Sequence, residues 1–217
     1  VKDIIIAAAA LTFIFSYPKF LANTSILLIS AVAIASGFVL HELAHRFVAN
    51  EFGAAARFRI WKEGLLMALV LAIATNGGFV FAAPGAVVIN NVRFSLRRGI
   101  VALGQREYGI ISAAGPLTNM ALAALFILFY YSTSNAALLY AASINVSLAL
   151  FNMVPIPPLD GSKVFAWNPV SWAAIIALII LFRILHPARI LTSMNWYAKS
   201  ELFMGTPRKN YGKGTLL

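Results

Sequence analysis

Long apolar stretches alternate with short polar ones along this chain. Six apolar segments follow from the pattern, each bounded by proline, glycine or polar residues: 4–17, 24–49, 65–75, 114–131, 136–154 and 169–185. A helix needs about 20 mainly apolar residues to cross a bilayer, and several of these segments approach that length. The pattern therefore predicts an all-α polytopic membrane protein with about six apolar segments.

The third segment departs from the helical pattern. Before it, residues 57–62 alternate between polar and apolar side chains, which is typical of a strand. After it, Asn76-Gly77-Gly78 interrupts the helix, and residues 79–89 resemble two strands with a bend at Pro84-Gly85. Non-helical backbone at membrane depth is tolerated only where protein or a water-filled cavity covers it. We therefore expect a small membrane-associated β or re-entrant element between the second and fourth segments.

Two further expectations concern the chain after this element. Residues 90–108 contain four arginines and are predicted to form a basic loop. Pro116 follows the start of the fourth segment closely, and proline is common in the first turn of a helix. The fourth helix is therefore expected to begin just before Pro116.

The composition supports a membrane location. Hydrophobic residues make up 61% of the chain and charged residues 11%, whereas a soluble domain is about a quarter charged. The net charge of +10 is typical of cytoplasmic loops and contact with anionic lipid. The lipid bilayer is thus an expected partner and nucleic acid is not. No internal repeat or linker is visible, so residues 1–217 are expected to form one membrane-embedded domain.

The second segment carries a polar cluster in an otherwise apolar helix. His41 and His45 are four residues apart, so on a helix both imidazoles lie on one face and can bind one metal ion. Glu42 lies beside them, where a carboxylate can accept a proton from a water held at the metal. The chain has no cysteine, so any zinc ion must be bound by histidine and carboxylate. Such a cluster inside a membrane segment indicates a functional site.

A catalytic zinc ion takes three protein ligands and leaves one position open. Asp160 is the favoured third ligand because it stands in an apolar, proline-rich stretch with no cation before Lys163. The alternative is a turn carboxylate, since Asp-Gly is a common turn sequence. The other candidates lie in charged surroundings, close to the motif on the same helix, or at the end of a segment: Asp3, Glu51, Glu63, Glu107, His186 and Glu201.

Two asparagines lie in or at the end of apolar segments. Asn152 ends the fifth segment and could donate a hydrogen bond to a substrate carbonyl or a developing oxyanion. It could equally tie two helices together. Asn119 is interpreted as such a tie, and Gly37 and Gly115 as positions where helices approach closely.

Taken together, three motifs resemble the site-2 protease family of intramembrane metalloproteases. They are His41-Glu42-Leu43-Ala44-His45, Gly115-Pro116-x-x-Asn119, and Asn152-x-x-Pro155-x-Pro157-x-Leu159-Asp160-Gly161. The resemblance implies one zinc ion per chain, bound by His41, His45 and Asp160, with Glu42 as general base and Asn152 near the scissile peptide. It also implies regulated intramembrane proteolysis, with transmembrane segments of membrane proteins as substrates.

Two other functions are compatible with parts of this pattern. A transporter or channel could use intramembrane His, Glu and Asp residues to bind a metal or relay protons, but further acids would then be expected in the segments. A prenyl-protein type of membrane protease usually takes a glutamate as third ligand, and the glutamates here are badly placed. Many site-2 relatives carry additional regulatory domains, and none is expected within residues 1–217.

The distribution of arginine and lysine predicts the topology. Arg46, Arg57, Arg59 and Lys62 follow the motif, so its end of the second segment is expected to face the cytoplasm of a multi-pass cell-membrane protein. Asp160 must reach the same face. The basic residues lie inside, and Asp160 reaches the face of the motif, if the third segment enters and leaves on the cytoplasmic side. Residues 90–108 are then inside and residues 132–135 outside. Whether residues 187–217 form a further span is left open.

Overall fold

The computed structural model describes residues 2–78, 84–89, 92–95 and 99–186. These residues form seven α-helices, one short 3-10 helix and two small antiparallel sheets. In chain order the elements are α1 (Lys2–Ser16), a 3-10 helix (Lys19–Leu21), α2 (Ser25–Glu51), β1 (Ala56–Ile60), α3 (Lys62–Ala74), β2 (Gly85–Ile89), β3 (Val92–Ser95), β4 (Gly99–Ala102), α4 (Gln105–Thr133), α5 (Ala136–Asn152), α6 (Asp160–Trp167) and α7 (Pro169–Leu185).

Local signals mark where several helices begin. The Asn135 side chain accepts a hydrogen bond from the backbone N–H of Ala137 at the start of α5, as an N-cap residue does. Asn168 caps α7 in the same way through Ser171, and Pro169 occupies the first turn. Helix α5 ends shortly before a run of three prolines, which cannot continue a helix.

Helices α2, α4 and α5 form the centre of the molecule and contact one another along their lengths. One apolar cluster joins α1, α2 and α5 and includes Phe38, Ile144 and Leu148. A second joins α4, α5, α6 and α7 and includes Ala123 and Ile179. The short helix α6 is therefore held between α4 and α7, which fixes its first residue relative to α2.

The outer surface of α2 is apolar over residues 27–43. Leu28, Val32 and Phe47 are each about two-thirds exposed, while the two histidines of the same helix are buried. Helices α2 and α4 are long and apolar enough to cross a membrane, and α5 and α7 are apolar but shorter. The mostly helical architecture agrees with the sequence-based prediction. The count of about six apolar segments stays a prediction, as does the single domain over residues 1–217.

The predicted β element between the second and fourth segments is confirmed. Strand β1 pairs antiparallel with β2, and Ile60 lies opposite Gly85. The chain therefore leaves β1, forms α3 and returns to the point at which it left. At the far end of α3, Gly77 packs against the backbone of Tyr17 after α1. The predicted strand over residues 79–83 lies outside the described residues, and so does the segment 187–217.

Two sequence-based expectations are wrong. Residues 90–108 are not simply a loop, because they contain the β3–β4 hairpin and the start of α4. Helix α4 begins at Gln105, where the backbone N–H of Gly104 donates to the Glu107 carboxylate in a capping interaction. Pro116 consequently lies inside α4 rather than in its first turn.

Candidate metal centre

His41, His45 and Asp160 meet at one buried point between α2, α4 and α6. The Nε2 atoms of the two histidines are 3.0 Å apart. Oδ2 of Asp160 is 3.2 Å from Nε2 of His41 and 3.0 Å from Nε2 of His45. All three residues are buried. The structure thus brings together the three residues for which metal binding was predicted, although they come from distant parts of the chain.

The hydrogen bonds of the two imidazoles show which ring nitrogen carries the proton and which one faces Asp160. His45 has its Nδ1 atom 2.7 Å from the backbone carbonyl of Ile111, which can only accept, so His45 donates from Nδ1. His41 has its Nδ1 atom 2.6 Å from Oδ1 of Asn119 and donates to it. In a neutral imidazole the other nitrogen then carries a lone pair. Both Nε2 lone pairs are therefore available on the side where Asp160 lies.

Asn119 orients His41 and connects three helices. Its amide nitrogen donates to the carbonyl of Gly37 at 3.1 Å and to Oδ1 of Asn145 at 2.9 Å. Because the Gly37 carbonyl only accepts, the amide oxygen of Asn119 must be the atom that faces His41. Metal-binding histidines usually donate their second N–H to such an acceptor, which fixes the tautomer and the ring orientation.

Helix α4 covers one side of the triad at Gly115. A Cβ atom at this position would overlap Nε2 of both His41 and His45. One turn earlier, the Ile111 carbonyl accepts the hydrogen bond from Nδ1 of His45. Helix α4 therefore supplies a hydrogen-bond acceptor for each imidazole. Because Gly115 has no side chain, the helix also leaves space for the two Nε2 atoms.

The two oxygens of Asp160 have different partners. Oδ2 faces the imidazoles, whereas Oδ1 lies 3.5 Å from Nζ of Lys163, one turn further along α6. The Lys163 ammonium is the nearby positive charge that favours the ionised form of this carboxyl group. A metal ligand must be in that form.

These residues fit a zinc ion. Atoms that bind zinc tetrahedrally lie roughly 3.3 Å apart, because the Zn–N and Zn–O bonds are about 2.0–2.2 Å long. The observed separations of 3.0 to 3.2 Å agree with that spacing. Two lone pairs and a carboxylate oxygen held so close together repel one another unless a cation or proton lies between them. Two histidines and a carboxylate are also a common ligand set of catalytic zinc.

Glu42 lies next to the triad and faces a cavity. Its Oε2 atom is buried and has no hydrogen-bond partner among the described residues. The side chain also lines a cavity of about 590 Å³ between the start of α1, the end of α2 and β1. Glu42 thus lies between the buried triad and this cavity, which is large enough for a few residues of a peptide.

Asn152 is not part of this hydrogen-bond network. Its amide nitrogen donates to the Leu148 carbonyl in its own helix at 2.9 Å. The next residue, Met153, contacts Gly161 so closely that a Cβ at Gly161 would overlap its backbone. Asn152 therefore lies near the segment that positions Asp160, and its role at the substrate stays a prediction.

Sequence reasoning assigned Asn119 and Gly115 to helix packing and missed their roles at the triad. The spacing of Gly115 and Asn119 could have indicated these roles, because residues four apart lie on one face of a helix. An amide in an apolar helix, one turn from a glycine, indicates a partner on the facing helix. That partner is His41.

Replacing Asn119 by Leu is expected to weaken zinc binding about 10–100-fold, because such outer hydrogen bonds contribute that much to metal affinity. Competition with a chelator of known affinity measures the change. Thr118→Val is the matched control, since the Thr118 hydroxyl donates to the Ala114 carbonyl of its own helix. Equal affinities for wild type and Asn119→Leu, with unchanged helix content, would contradict the role given to Asn119.

The site has the ligand set and geometry of a metalloprotease centre. A search of curated proteins identified two relatives, both named as putative zinc metalloproteases. The protein from Methanocaldococcus jannaschii is 43% identical over 178 residues, which cover 80% of this chain and 86% of that protein. The Bacillus subtilis protein is 29% identical over 158 residues, which cover 61% of this chain and 65% of the relative. No family model and no solved structure matches the chain.

The extent of the first match shows the family: the chain belongs to the zinc metalloprotease family of the Methanocaldococcus protein.

Proposed function

We propose that the protein is an intramembrane zinc endopeptidase of the site-2 protease type, which hydrolyses peptide bonds within or near transmembrane segments of membrane-tethered substrates. One observation carries the proposal. The helix that bears His41, Glu42 and His45 is long and apolar enough to cross a membrane. Over residues 27–43 its exposed side chains are apolar while His41 and His45 are buried, the reverse of a helix whose outer face meets water.

The proposed chemistry uses groups already in position. Zinc, when bound, lowers the pKa of water and polarises the peptide carbonyl. His41, His45 and Asp160 would hold the ion. Glu42, whose Oε2 atom has no hydrogen-bond partner among the described residues, would accept the proton from the attacking water and return it to the leaving nitrogen. Asn152 would bind the scissile peptide from the end of α5.

The alternative of a transporter or channel is less well supported. A proton or metal pathway needs a series of ionisable groups through the membrane. Among the described residues, the buried polar side chains outside the triad are serines, asparagines and one tyrosine: Ser16, Ser30, Ser112, Asn119, Tyr140, Ser143 and Asn145. None of these ionises near neutral pH. The ionisable groups are concentrated at one point, as hydrolysis requires.

Reconstitution into liposomes tests the proposal. Zinc-loaded protein is expected to cut a reporter within or next to its transmembrane segment, to stop when a chelator removes zinc, and to resume when zinc is returned. The Asp160→Ala variant should not cut at any zinc concentration that supports the wild type. Cleavage that survives complete zinc removal, or cleavage only of soluble peptides, would refute the proposal.

We also expect the metal centre to lie near the cytoplasmic face of the cell membrane. The pairing of Ile60 with Gly85 supports a third segment that enters and leaves on one side. In that topology the turn between α4 and α5 is external, and the start of α4 is cytoplasmic. Because the chain has no cysteine, an impermeant thiol reagent on intact cells should label Ser132→Cys and spare Gln105→Cys. Both positions are exposed. The opposite labelling would overturn this topology.

A further inference from the structure

The cavity beside Glu42 has more basic than acidic residues in its lining. It has a volume of about 590 Å³ and is lined by Lys2, Arg46 and Arg57 together with two acids, Asp3 and Glu42. Asp3 also accepts a hydrogen bond from the backbone N–H of Ile60 at 3.4 Å. Away from Glu42, cations therefore outnumber acids in this space.

Two of the cations have no ion-pair partner among the residues that the structure describes. Arg46 and Arg57 are exposed, and no ion pair connects either to an acidic group among the described residues. A guanidinium presents five donors in a planar fork that matches a carboxylate. Both guanidinium groups are therefore free to bind an anion that enters the cavity.

Arg46 lies at a defined distance from the proposed reaction centre. It follows Glu42 by four residues on α2, so both side chains lie on one face, about 6 Å apart along the helix axis. An extended peptide advances about 3.3 Å per residue. A substrate chain that passes Glu42 in the extended form therefore places a residue about two positions from the cut bond beside Arg46.

We infer that this cavity selects substrates with an aspartate or glutamate about two residues from the cut bond, and that Arg46 binds the carboxylate of that residue. The inference rests on the proposed protease function and adds the class of substrate. Arg57, on β1, provides a second cation at the same cavity. Lys2, at the start of α1, adds a third.

Peptides that differ at one position test the inference. Otherwise identical transmembrane peptides carry Asp, Asn or Lys two residues before or after the cut bond. Wild-type protein in neutral detergent is expected to cut the Asp peptide about 2- to 5-fold faster in kcat/KM than the Asn peptide, in line with the strength of partly exposed ion pairs. The Lys peptide should be slowest. Arg46→Glu should reverse the order, so that the Lys peptide is preferred.

Arg59→Glu is the matched control. It changes the net charge equally on the exposed side of β1, but Arg59 does not line the cavity. A reversal in Arg46→Glu with no reversal in Arg59→Glu supports the inference. Equal rates for the Asp and Asn peptides at both positions would overturn it, as would the same reversal in both variants. So would an Arg46→Glu defect that depends on anionic lipid and not on peptide charge, because Arg46 would then serve phospholipid headgroups.

Peptide affinity separates this inference from the proposed function. Fluorescence anisotropy measures binding of the same peptides to wild type and Arg46→Glu without any need for cleavage. Tighter binding of the Asp peptide, reversed in Arg46→Glu, would support the charge-selective cavity even if no peptide were cut, and only the protease proposal would then fail. Cleavage without a charge preference would leave the protease proposal intact and refute the charge selectivity of the cavity.

Discussion

Replacing Glu42 by Gln is expected to leave the zinc content at the wild-type level and to lower proteolysis by about 10²–10⁴-fold, the usual contribution of a general base. The amide is similar in size to the carboxylate but cannot accept the proton. Oε2 of Glu42 has no hydrogen-bond partner among the described residues, so the substitution removes no hydrogen bond from that atom. Atomic emission on purified protein measures zinc, and cleavage of a reporter measures activity.

Ligand variants provide the contrast for Glu42→Gln. His41→Ala, His45→Ala and Asp160→Ala should each lose zinc together with activity, because each removes one of the atoms that converge at the site. Full zinc content in Asp160→Ala would remove Asp160 from the ligand set. An active Glu42→Gln variant would show that another group takes the proton.

Adding one methyl group at Gly115 should also abolish function. The Cβ of Gly115→Ala would overlap Nε2 of both His41 and His45. Helix α4 cannot move away freely, because Asn119 bonds it to Gly37 of α2 and to Asn145 of α5. Zinc affinity should therefore fall by more than the roughly 100-fold attributed to an outer hydrogen bond. Proteolysis should fall with it.

Zinc titration and activity are compared for Gly115→Ala and for Ala121→Val, which enlarges an exposed residue on the same helix. The control should match the wild type in both measurements. Circular dichroism of both variants checks that the helices are retained. Normal zinc affinity in Gly115→Ala would mean that the imidazoles do not converge under Gly115.

The sequence was most informative where a local rule applied. His41 and His45 are related by one helical turn, so their common face follows from helix geometry alone. Residues 57–62 alternate in polarity, and the strand Ala56–Ile60 is observed at that position. Asp160 could be selected because it had no cation before Lys163, and that lysine contacts the carboxylate oxygen that faces away from the histidines.

One feature was misplaced because two local signals competed, and others depend on tertiary contacts that no local pattern specifies. The start of α4 was misplaced because Pro116 fits a first turn, whereas the capping interaction between Gly104 and Glu107 begins the helix well before it. The role of Asn119 depends on which helix packs against it, and no local pattern specifies that α2 does. Asn152 lies near the segment that positions Asp160, but its amide bonds within its own helix. Its function depends on a substrate that the sequence does not contain.

The separation of the three ligands along the chain has a consequence for biosynthesis. His45 and Asp160 are 115 residues apart, and chains are made from the N-terminus onward. A growing chain contains both histidines and Glu42 long before Asp160 exists, and α6 must then pack against α4 to deliver the carboxylate. No unfinished chain that ends before α6 can assemble all three ligands. Hydrolytic competence therefore arises only once α6 has been made, after helices α2, α4 and α5.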